Sequence, residues 1–141
     1  AESTQISVIT DDLDPNKESD IELHEEHLTI PDRVEVYEIN GPYFFGIANK
    51  FEEEMIRIGD RPKVRIIRMR KVPFVDSTGI HNLTNLCRMS QREGIIIVLS
   101  GVNPRVHETL EKAGFYELLG KDNICSNINE ALAKAREIVK A

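Results

Sequence analysis

The chain has 141 residues, 40% of them hydrophobic and 30% charged, with a formal net charge of −6, two cysteines and no tryptophan. That length fits one domain able to bury a core without staples. The acidic balance argues against a nucleic-acid surface, two distant cysteines against a disulfide scaffold or zinc site, and no apolar run approaches the length of a membrane span.

The first residues are polar and acidic, with Asp11, Asp12, Asp14, Glu18 and Asp20 around Pro15, and they read as linker. His24 and His27 follow among Glu22, Glu25 and Glu26. No turn glycine or second ligand group fixes a geometry there, so no metal is assigned. The chain opens on Ala1 rather than Met, as a segment cut from a longer protein would.

From Val34 the pattern alternates. Val34–Asn40 predicts a strand, and Gly41-Pro42 ends it. Phe44, Ile47, Ala48, Phe51, Met55 and Ile58 then recur at helical spacing up to Gly59. Residues 63–70 predict a second strand, and Arg65, Arg68, Arg70 and Lys71 read as a solvated strand edge. Ile80, Leu83, Leu86 and Cys87 mark a helix opening at Asp76 or Ser77 and closing at Gly94, with Cys87 on its apolar side.

Ile95–Leu99 is apolar throughout and suits a buried central strand. Asn103-Pro104 opens a helix with a cap residue and a first-turn proline, and Gly114 ends it. Phe115–Leu119 reads as a short edge element, and Ser126 as the cap of a last helix carrying Ile128, Ala131, Leu132, Ala135 and Ile138. Strands alternating with helices predict an α/β fold whose later strands are parallel.

Val72-Pro73-Phe74-Val75-Asp76-Ser77-Thr78-Gly79-Ile80 carries most of the functional question. It lies where a strand hands over to a helix, and the first amides of a helix have no partner within it. Short oxygen-bearing side chains supply one, and those amides also favour an anion. Three readings compete for Ser77. It caps the helix, it is phosphorylated, or it is a nucleophile with His81 four residues on. The last lacks an orienting acid and an oxyanion hole, and no nucleotide-binding glycine motif is present, so no enzyme and no cofactor are assigned.

This order of elements, with Asp76-Ser77-Thr78-Gly79-Ile80 at the second strand-to-helix junction, resembles the STAS domain of sulfate transporters and anti-sigma factor antagonists. Ser100-Gly101 after the strand at 95–99, and Val106, Leu110 and Ala113-Gly114-Phe115, belong to the same resemblance. Gly41-Pro42-Tyr43-Phe44-Phe45 is similar to the segment that opens the first helix in SulP-type transporters. The short 59–62 connection leaves no room for the long insertion of animal relatives.

The resemblance implies residues 1–27 as an acidic linker after a membrane domain and 28–141 as a STAS domain, with a mixed sheet of 4–5 strands and about four helices. It implies a non-catalytic regulatory domain on the cytoplasmic side of a bacterial inner membrane. The alternative is a stand-alone anti-sigma factor antagonist switched by phosphorylation of a serine, which Ser77 matches. Expected partners are the transporter's own transmembrane domain, another cytosolic protein or a second STAS copy, without nucleic acid or direct membrane insertion. They would dock around Asp76, Ser77, Thr78, Gly79, His81, Ser100 and Gly101. The transported anion is not readable from this segment.

Overall fold

The computed structural model describes residues 5–9, 12–13, 28–41 and 61–141. The acidic linker beyond β1 and β2, His24 and His27, and the helix expected over 44–58 lie outside the described residues.

Four strands form one mixed sheet in the order β1 (Gln5–Ile9), β4 (Val34–Asn40), β5 (Val64–Arg68), β6 (Ile96–Ser100). β1 runs antiparallel to β4, while β4, β5 and β6 are parallel and in register from Val34, Val64 and Ile96. A two-stranded ladder joins β2 (Asp12–Leu13) to β3 (Leu28–Thr29). The described helices are α1 (Ser77–Arg92), α2 (Pro104–Lys112), α3 (Phe115–Leu119) and α4 (Ile128–Lys140), with a 3-10 turn at Lys121–Asn123.

Both faces of the parallel strands are buried, which is why β6 reads as an apolar run. Tyr37, Ile39, Ile67, Met69, Ile97 and Leu99 pack with Leu83, Leu86 and Cys87 of α1, Val106 and Leu110 of α2, and Phe115 of α3. Val34, Val36, Val64, Ile66 and Val98 on the other face pack with Ile128, Ala131, Leu132 and Ala135 of α4. Helices on both faces make the fold α/β. Cys87 is fully enclosed, and burial pushes its thiol up to about 12; burial likewise raises Cys125 to about 11. Neither sulfur is therefore a thiolate at neutral pH.

Four expectations change. Among the described strands β6 is an outer one, not a central one; helices on its two faces account for its apolar sequence, and within it only Ile96 is exposed, at 37%. Phe115–Leu119 is a short helix, because Gly114 turns the chain left-handed at φ 88 and Leu118 N returns to Gly114 O. The last helix is capped by Asn127, whose Oδ1 accepts from Glu130 N at 2.9 Å, while Ser126 is held one residue earlier by Glu130.

The fourth change concerns the basic cluster. β5 lies between two strands, so Arg65 is fully buried and Arg68 is 4% exposed. Glu35 Oε1 lies 3.6 Å from Arg65 Nε and accepts from Tyr37 OH at 2.7 Å, and Arg65 Nη1 donates to Ser90 Oγ at 2.9 Å. Arg70 Nε donates to Glu38 Oε1 at 2.7 Å, with Lys71 Nζ 3.9 Å from the second oxygen. The acids of β4 are what allow cations beside the core.

Candidate functional site at the C-terminal edge of the sheet

β5 and β6 end at the same edge, so the loops that follow them meet there. Met69 N donates to Ser100 O at 2.7 Å, drawing the two chains together just past the strands. Gly101 follows with φ 71, and a Cβ on it would sit 2.7–2.9 Å from the backbone N, Cα and Cβ of Arg70. Only glycine allows both that conformation and that approach.

Asn103 fastens the loops a second time. Its Oδ1 accepts from Val106 N at 2.8 Å and so caps α2, while its Nδ2 donates to Val72 O at 3.2 Å and Pro73 O at 3.5 Å. The guanidinium of Arg105 then lies over the Phe74 ring, 5.7 Å from its centre. The loop leading into Asp76 is therefore held by side chains from the β6–α2 junction. Asn103-Pro104 announced the cap in the sequence. Nothing there announced the bridge from its second amide atom.

At the mouth of α1 the capping question has a definite answer. Asp76 is the cap, with Oδ1 accepting from Gly79 N at 3.0 Å and its carbonyl accepting from Ile80 N at 2.8 Å. Such a cap contributes about 1 kcal/mol. Ser77 is the first helical residue, and Asp76, Ser77, Thr78 and His81 are all exposed. Gly79 is buried against the fold.

The Ser77–His81 pair does not form. The His81 ring turns one helical step onward, with Nε2 3.2 Å from Asn85 Nδ2. Among the described residues no base lies beside Ser77, whose side chain is exposed at the helix start. Such a position accommodates an added negative charge, because the first amides and the helix dipole favour anions.

The expected docking residues thus divide. Asp76, Ser77, Thr78 and His81 share one exposed helix opening. Ser100 is fully buried and Gly101 is buried behind Arg70, so their side of the edge is scaffold and presents no contact surface. Among the described residues, no helix is long and apolar enough to cross a membrane.

Comparison with known proteins adds the kinship. The STAS domain pattern matches residues 27–131. A solved sulfate transporter family protein from Wolinella succinogenes is 41% identical, with a TM-score of 0.71 over 81% of this chain and 93% of that one. The solved STAS domain of a SulP transporter from Vibrio cholerae is 37% identical, with a TM-score of 0.71 over 79% and 88%. Sulfate transporter 1.3 of Arabidopsis thaliana is 35% identical over 83 residues, which is 57% of this chain and 13% of that protein. The chain spans 13–18% of the length of such curated relatives.

Proposed function

Because the chain belongs to the STAS domain family, we propose that it serves as the cytoplasmic regulatory and interaction domain of a SulP-type anion transporter, acting by contact without chemistry. The observation that carries this reading is the match to a SulP transporter's STAS domain over most of both chains, well above the identity at which fold alone is shared.

The contact surface in this reading is the opening of α1, where Asp76, Ser77, Thr78 and His81 are exposed on a loop pinned by Asn103 and Gly101. A pinned surface loses little entropy on binding. Its partner is the membrane part of the same transporter, a cytosolic protein or a second copy of the domain. Phosphorylation of Ser77 would add about −1.5 to −2 charges there. Ser77 is not the cap, so such a change would alter docking without removing a structural bond of the helix.

The coding sequence upstream of Ala1 tests the assignment. A run of hydrophobic spans in frame is the expected result. A start codon immediately before Ala1 would overturn it in favour of a soluble antagonist, and intact-mass detection of phosphoserine at Ser77 would then become the expected signature.

A further inference from the structure

The opposite edge of the sheet has a different character. Val34, Val64 and Ile96 are in register at the N-terminal end of the parallel strands, and the residues just before them gather there. Lys63 N donates to Arg33 O at 2.8 Å, Arg33 Nη2 to Arg61 O at 3.4 Å, and Arg61 Nη1 to Glu93 O at 3.4 Å. Lys63 Nζ reaches Ala141 O at 3.2 Å, which brings the last turn of α4, with Lys140, to the same edge. Arg92 ends α1 immediately before Glu93.

Arg33, Arg61, Lys63, Arg92 and Lys140 therefore share one rim. Asp32, Glu93 and Glu137, three residues before Lys140 on α4, are acidic side chains described near them, in a chain whose net charge is −6. Arg92 and Lys140 have a local role, since cations stabilise helix C-termini. Arg61 and Lys63 lie on no helix but reach the C-caps of α1 and α4, donating to Glu93 O and Ala141 O, whereas Arg33, which donates to Arg61 O, meets no helix end. Arg33 also holds φ 67, a left-handed conformation that glycine would adopt more cheaply. At the start of the outer strand β6, beside Lys63, is Ile96, a large hydrophobic residue left 37% exposed, with its amide on Lys63 O at 3.0 Å.

We propose that this basic rim docks on the anionic surface of a phospholipid bilayer, its arginines and lysines meeting lipid phosphates and Ile96 entering the headgroup layer. The biological setting rests on the transporter reading, which keeps the domain near a membrane; binding of the isolated chain to lipid does not depend on it. Cations near an anionic leaflet each strengthen binding about fivefold, and salt weakens the attraction. Asn40 and Ser77 lie at the other end of the strands, so lipid contact leaves the opening of α1 free for a protein.

The test is co-sedimentation of the 141-residue chain with vesicles of phosphatidylglycerol and phosphatidylcholine, against vesicles of phosphatidylcholine alone. Binding is expected only with phosphatidylglycerol and should fall as salt is raised. Arg33→Gly should weaken it about fivefold while leaving the melting temperature unchanged or higher, and Arg61→Glu should weaken it about 25-fold, as two charge units. Ile96→Ser should weaken it further. No preference for phosphatidylglycerol, or wild-type binding by both arginine variants, would overturn the proposal. So would capture of a polyglutamate peptide at this rim without vesicle binding, which would mark a site for an acidic protein. Each negative result leaves the transporter assignment standing.

Discussion

Arg65→Met is expected to lower the unfolding free energy by about 3–5 kcal/mol, the usual result of removing one partner from a buried ion pair. Arg65 is fully enclosed and meets Glu35, which is 5% exposed, and Ser90 of α1, which is fully buried. Methionine fills much of the space but leaves the Glu35 carboxylate in the core beside Tyr37 OH. The desolvated charge is what costs, more than the lost hydrogen bond. The double variant Glu35→Leu/Arg65→Met removes both charges and should recover most of the loss, since apolar replacement of a whole buried pair is often neutral. Urea unfolding of the two variants decides the matter. A loss below about 1 kcal/mol for Arg65→Met would show that the pair is not desolvated.

Gly101→Ala should have a comparable effect through the backbone. The left-handed conformation at φ 71 costs a non-glycine residue about 1–2 kcal/mol, and overpacking adds about 1–3 kcal/mol. The added methyl would meet backbone atoms of Arg70 at 2.7–2.8 Å, which cannot swing away as a side-chain tip would. Relief requires separating the loops after β5 and β6, loosening Asn103 from Val72 and with it the approach to Asp76. We expect a loss of about 2–5 kcal/mol by thermal or urea unfolding, with faster amide exchange at Val72–Val75. Wild-type stability together with unchanged exchange would mean the loops are not coupled at Gly101.

The parts of this fold written in local sequence were legible, and those written by pairing were not. Val34–Asn40 is a strand as read; Asn103-Pro104 starts α2 as read; Cys87 sits on the buried side of α1 as read. Arg65 and Arg70 misled because charge in or beside a strand ordinarily means water, whereas here Glu35 and Glu38 arrive from a strand about thirty residues earlier. Ile95–Leu99 suggested a central strand because helices cover both its faces. Asp76 and Ser77 were equally plausible caps by residue type, and only the hydrogen bond to Gly79 N separates them. Burial of Ser100 and Gly101 depends on Arg70, a contact between two loops that no local pattern encodes.

In the proposed reading, the exposed opening of α1 is where this domain acts on a transporter. Uptake of labelled anion by cells expressing the full-length protein tests it most directly, with Thr78→Lys and His81→Glu compared with wild type at equal membrane abundance. Both residues are exposed, and neither Asp76 nor Gly79 is touched, so the cap and fold should persist. A severalfold loss of uptake is expected while the circular dichroism of the isolated domain is unchanged. Wild-type uptake in both variants would contradict it.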